Sequence, residues 1–153
     1  MIKLALILLT TLLSDAPDSL EQKACDYFFD NIFRQEYQHY KVIEFQNQTD
    51  ASDWGIGIVH QCKNWDQAIK GQIISSTPAN TVGIKANTAD VRVKKIEKNS
   101  RRLKVYVHSN IKVGDSYFVS IAIYRKLRFA DHYFIEFDND GNIINICKTG
   151  EII

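Results

Sequence analysis

Side-chain catalysis needs an activated nucleophile, a tuned acid or base, or a metal, and each leaves a mark in residue type and spacing. His60-Gln61-Cys62 sets two ligand types two positions apart. On an extended segment both would face one way, as in half of a metal site. His108 and His132 would have to complete the set from distant segments, and no spacing brings them there. Asp138-Asn139-Asp140-Gly141-Asn142 has the start of a calcium-loop pattern, but the closing Glu is missing: position 149 is Thr149, and Glu151 lies beyond it. A hairpin turn uses the same residues without an ion. There is no Gly-x-Ser-x-Gly elbow, and Gly55-Ile56-Gly57 stands without a third glycine or a following helix. Asp131-His132 puts an acid beside a base, but neighbours on a strand point to opposite faces. The sequence therefore names no catalytic residue, no metal ligand and no cofactor.

One cluster stands out for binding. Residues 92–104 hold seven cations (Arg92, Lys94, Lys95, Lys98, Arg101, Arg102, Lys104) and one acid, Glu97. The run continues toward Tyr106 and His108. It reads either as a solvated face with charges that guard a sheet edge, or as a site for an acidic protein or a small anionic ligand. The candidate binding residues are Arg92, Lys94, Lys95, Arg101, Arg102, Lys104 and Tyr106. The whole chain is balanced, with 19 Lys and Arg against 18 Asp and Glu, so no global field draws nucleic acid or an anionic membrane.

The N-terminus speaks to compartment. Met1-Ile2-Lys3 precedes an uncharged apolar run over residues 4–13, about ten residues against the roughly 20 that span a bilayer. That pattern predicts a secretory signal peptide over residues 1–16, cleaved after Ser14 or after Ala16, and export to a periplasmic or extracellular space. A cut after Ala16 would place Pro17 next, a poor residue there. The competing reading is a buried N-terminal strand or helix. Cys25, Cys62 and Cys147 form no Cys-x-x-Cys pair. They fit either one disulfide and a free thiol or three buried thiols. Asn47-Gln48-Thr49 matches the N-glycosylation acceptor pattern.

Residues 17–153 have the size of one domain, and their patterning yields its elements. Ser19-Leu20-Glu21-Gln22 is a capping box. Cys25, Phe28, Phe29, Ile32, Phe33, Tyr37 and Tyr40 then recur along one face of a helix of about 20 residues. A first strand is expected at residues 42–45, a short one at 56–60, and a helical turn over 64–69 capped by Asn64. In the C-terminal half, residues 91–96 and 103–107 read as a hairpin about Asn99-Ser100, with Ile96 opposite Leu103, Lys95 opposite Lys104 and a bulge near Lys94-Lys95. Residues 117–124 are apolar on both alternating sets, as in a strand covered on both faces. A two-residue turn at Asp140-Gly141 pairs Phe137 with Ile144 and Ile135 with Ile146.

The expected fold is α+β: one long N-terminal helix packed on a curved antiparallel meander, each hiding one apolar face. That general plan resembles the architecture of cystatins and of the nuclear-transport-factor-like cones. The cystatin Gln-x-Val-x-Gly loop is absent, and the nearest string, Gln72-Ile73-Ile74-Ser75-Ser76, lacks its glycine. Functionally, the sequence favours a small exported non-catalytic binder of the inhibitor, immunity-type or envelope accessory kind. The alternative is a small-cavity enzyme or carrier with a helix-and-sheet cone, whose pocket Phe28, Phe29, Phe33, Tyr117, Phe118 and Tyr124 would line. Those rings could equally fill the space.

Overall fold

A computed structural model describes residues 18–52, 54–55, 57–125 and 129–152. The expected signal peptide, residues 1–16, lies outside them, as does Ile56. No helix among the described residues is long and apolar enough to cross a membrane.

The first element of the described residues is helix α1 (Leu20–Tyr27, continuing as a π-helical stretch Phe28–Phe33 and a last α turn Arg34–Glu36). Ser19 caps it, its hydroxyl accepting from the Gln22 N–H at 3.1 Å. The second half of the capping box is not made. The Gln22 side chain instead bridges the Lys85 carbonyl and N–H, each at 2.9 Å. The π stretch serves the aromatic stripe. In an α-helix Phe33 would lie about 140° around the axis from Phe28. A turn that bonds i to i+5 brings the two rings onto one face instead. Phe28, Phe29 and Phe33 are then 0%, 1% and 3% exposed. The helix ends at Glu36, short of the expected Tyr40.

Among the described residues seven strands form one open mixed sheet: β1 (Val42–Phe45), β2 (Arg92–Lys95), β3 (Leu103–Val107), β4 (Ile111–Val113), β5 (Ser116–Arg125), β6 (Phe129–Phe137) and β7 (Ile143–Ile152). The order is β2-β1-β3-β5-β6-β7, with β4 also paired to β5. The expected antiparallel meander holds from β3 to β7, but β1 runs parallel to both β2 and β3. There is consequently no hairpin at Asn99-Ser100. Strand β1 inserts between the two arms, so that Leu103 and Val105 pair with Ile43 and Phe45 rather than with Ile96 and Val93. The insertion buries Ile43 and Phe45 between two neighbours, which a bare β2–β3 ribbon would not do. It leaves Val93, expected inward, at 39% exposure on the outer strand.

Both sheet faces are covered, as expected for β5, where residues 118–123 are all buried. On one face α1 packs against Ile43, Val105, Val119, Ile121, Ile135 and Phe137. On the other, Trp54, Val59, Trp65 and Ile73 pack against Phe118 and Phe134. Strand alternation divides β6 between these layers, with Ile135 toward α1 and Phe134 toward the tryptophans.

The second layer holds three corrections. The strand expected at 56–60 is replaced by a single 3-10 turn, Val59–Gln61. The helix there is α2 (Gln67–Ser75), capped by Asp66 and not by Asn64. Asn64 instead donates to Asn145 Oδ1 at 2.8 Å and to the Ile146 carbonyl at 2.9 Å. Cys62 and Cys147 form a disulfide that fastens this layer to β7, while Cys25 is a buried free thiol.

The last hairpin keeps its expected Ile135–Ile146 pair, but Phe137 faces Ile143 and not Ile144. A bulge beside Glu136 and Phe137 absorbs the difference and leaves Ile144 54% exposed. The cause is local. The Asp138 carboxylate collects the N–H groups of Asp140 and Asn142 at 3.0 and 2.8 Å, and Gly141 takes φ +76°. That is a longer turn ending in a left-handed glycine, and the calcium-like residues are spent on it.

Candidate functional site

Strand alternation in β1 explains the centre of the cationic cluster. Ile43 and Phe45 point into the α1 core, so Glu44 faces the other way, where it is fully buried. The parallel register places Lys94 of β2 and Lys104 of β3 beside it on that face. The connection between β2 and β3, residues 96–102, must then pass β1, and it closes over Glu44. The Glu97 N–H donates to Glu44 Oε2 at 3.1 Å, and Arg102 Nη1 donates to Oε1 at 3.2 Å. Arg102 also lies 3.6 Å from the Glu97 carboxylate. Burial alone would raise the Glu44 pKa. Hydrogen bonds from Ser100, the Glu97 N–H and Arg102, with the charge of Lys104, outweigh it and hold the carboxyl below its usual range.

The candidate binding residues therefore separate into two groups. Arg102 is committed to Glu44, and Lys104 Nζ donates to the Lys98 carbonyl at 3.3 Å. Arg92, Lys94, Lys95 and Arg101 form no salt bridge among the described residues. Of these, Arg92, Lys95 and Arg101 are exposed and Lys94 is half-buried beside Glu44. Tyr106 follows Lys104 on the same face, half-buried, its ring 5.4 Å from Tyr124. Burial, followed by the charges of Glu44 and Asp50, raises its phenol pKa. These residues sit on β2, on β3 and on the connection between them, with Lys95 on the opposite face from Glu44, and not on the hairpin expected from the sequence.

A second polar cluster joins the end of α1 to the sheet. Tyr37 donates to Asp131 Oδ2 at 2.6 Å, and Arg125 donates to Asp131 Oδ1 at 2.9 Å. Tyr133 donates to Glu36 Oε2 at 2.7 Å, and Lys148 pairs with the same carboxylate. The two phenol oxygens stand 3.0 Å apart. Burial and the carboxylates beside them drive both phenol pKa values upward, so both remain donors. Burial would raise the Glu36 pKa, but the bonds from Lys148 and Tyr133 lower it overall. Each carboxylate receives a phenol and a cation, so the cluster is satisfied within itself and stitches helix to sheet. Tyr37→Phe is expected to destabilise the fold by about 1 to 2 kcal/mol through the lost bond to buried Asp131. A urea unfolding curve should show a lower midpoint at unchanged slope.

The remaining chemical candidates are dispersed. Asp131 and His132 do face opposite ways: His132 stacks on Phe134 in the second layer, while Asp131 meets Tyr37 beside α1. Cys62 is taken by its disulfide, which removes it from any pairing with His60 as a metal ligand. Gly55 has φ +72°, and a Cβ there would lie 3.1 Å from His132 Nδ1, so close packing against β6 requires this glycine. No group of His, Cys, Asp and Glu among the described residues is arranged to hold a metal ion. Sequence reasoning missed Glu44 and the Tyr37–Asp131–Tyr133–Glu36 cluster. The available signal for the first was a single acid inside the apolar strand Val42-Ile43-Glu44-Phe45.

Fold and site together define an α+β protein built on an open mixed sheet, with a cationic sheet end organised about a buried carboxylate. Comparison of the chain with protein-family models, with curated proteins and with solved structures gives no match.

Proposed function

We propose that this chain is an exported, non-catalytic binding protein of the inhibitor, immunity-type or envelope accessory kind, and that it meets an acidic partner through the cationic sheet end. The observation that carries the non-catalytic reading is the packing of Phe28, Phe29 and Phe33 between α1 and the sheet. Their ring centroids lie 5.2 to 6.1 Å apart, and Phe28 reaches Tyr133 at 5.6 Å. A small-cavity enzyme or carrier would need that space open and its ionisable groups free. The Cys62–Cys147 disulfide supports the exported reading, because such bonds persist in oxidising compartments.

The partner reading rests on Arg92, Lys95 and Arg101, exposed cations that no acid of the described chain answers. Charge of this kind steers encounter and sets its rate. The test uses mature protein from the exported fraction, expected to begin at Asp15 or Pro17, as bait for proteins of its own compartment. The comparison variant carries Arg92→Glu, Lys95→Glu and Arg101→Glu, sparing Lys94, Arg102 and Lys104 around Glu44. Each exposed change should alter stability by less than about 0.5 kcal/mol. An acidic protein held by the wild type, released by salt and lost from the variant is the expected result. Equal retention by both proteins, or an intact Met1 terminus on soluble cytoplasmic material, would overturn the reading.

A further inference from the structure

The strand path β2-β1-β3-β5-β6-β7 ends in two edge strands, and they are finished differently. At β7 the Asn64 amide donates to the Ile146 carbonyl at 2.9 Å, and the Cys62–Cys147 disulfide pins the neighbouring residue. That edge is closed in its middle. At β2, β1 is the one strand paired among the described residues, and no described side chain bonds to the backbone of residues 92–95. Strand β2 carries Arg92, Val93, Lys94 and Lys95. Its register with β1 fixes their faces: Arg92 and Lys94 lie on the Glu44 side, Val93 and Lys95 on the α1 side. Val93 is 39% exposed although it sits in register with the buried Ile43.

The geometry points to β2 as an edge that accepts an added strand, its occupant an extended acidic segment of a partner protein. This deepens the acidic-partner reading above and rests on it. Lysines and arginines along an edge repel a second basic strand, such as another copy of β2, and so oppose self-association. The same charges attract an acidic strand, whose backbone then completes the ladder while its side chains meet those of β2 in alternation. The occupant's sequence follows from the order of residues. Antiparallel pairing, the more stable kind per residue, sets an acid against Lys95, an acid against Lys94, an apolar β-branched residue against Val93 and an acid against Arg92. In the partner's own direction this is Glu-Glu-Val-Glu.

The probe is a capped synthetic peptide with Glu-Glu-Val-Glu at its centre, titrated into the mature, oxidised protein by calorimetry and by amide hydrogen exchange. Two control peptides leave the protein untouched: one N-methylated at alternate amides, on the bonding edge, and one with Gln replacing each Glu. The parent peptide should bind and slow exchange at residues 92–95. N-methylation should weaken binding by about tenfold or more, since each blocked amide forfeits a main-chain hydrogen bond. The Gln peptide should bind more weakly and lose its salt dependence. Absence of binding by the parent peptide, or protection that appears on β7 instead, overturns strand addition. If the N-methylated peptide binds as tightly as the parent while the Gln peptide does not, strand addition fails and recognition of acidic partners stands. If all three bind equally, both readings fail.

Discussion

Replacing Cys62 and Cys147 by alanine is expected to lower the stability of the mature protein by about 4 kcal/mol, because the bond closes a loop across 85 residues of sequence. The crosslink joins the layer that carries Trp54, Val59 and Trp65 to edge strand β7, so its loss also frees that layer to peel from Phe118 and Phe134. Thermal unfolding should shift down by roughly 10 °C or more, given the entropy of unfolding of a domain this size. A thiol count provides the complementary check. The unreduced protein should show a single thiol, and only after unfolding, since burial and the neighbouring Asp26 charge push the Cys25 thiol up to about 12. Three thiols in unreduced, unfolded protein, or an unshifted transition in the double variant, would sink the assignment.

The second large effect concerns Glu44. Arg102→Leu should destabilise the fold by about 2 to 3 kcal/mol, toward the lower end for a buried pair, because the Arg102 side chain is 40% exposed. Most of that loss is the carboxylate left without its cation. Glu44→Leu combined with Arg102→Leu should therefore recover a good part of it. Additive losses in the double variant would show that the two side chains are not coupled. The pair also dictates the response to acid. Both Glu44 and Glu36 have pKa values lowered by folding, so their contribution is present in full above the ordinary carboxylate range. It is lost as pH falls below that range, through the values of the folded state. Glu44→Gln should flatten the acid limb of a stability-against-pH profile measured by denaturant unfolding, and above pH ~5 should lower the plateau without adding a slope.

The same pair explains why the cationic run was legible while its shape was not. Seven cations against one acid in residues 92–104 were visible in the sequence, and several of them do share one sheet end. Their arrangement as a hairpin rested on local alternation about Asn99-Ser100. Local pattern cannot reveal that a strand fifty residues upstream will slot between the two arms. Once β1 is there, Glu44 is buried, and the cluster divides into cations that neutralise it and cations left to solvent. The charge-reversal test is confined to Arg92, Lys95 and Arg101 for this reason: Arg102 and Lys104, interchangeable with their neighbours in the sequence, have structural duties that those three do not.

What the sequence determined by itself was local. The Ser19 cap, the inward positions Cys25, Phe28 and Phe29 of α1, the doubly buried character of β5 and the Ile135–Ile146 pairing follow from capping chemistry and from the 3.6 and 2.0 periodicities. So does the opposite orientation of Asp131 and His132. Tertiary structure decided everything that depends on which surfaces find one another. It selected Cys62 and Cys147 from three cysteines, brought Tyr37 to Asp131 across 94 residues, and turned Asn64 from an expected helix cap into a brace for β7. Periodicity shows which face of an element is apolar. The partner of that face, and the polar groups trapped beside it, are set by the packing of the whole chain.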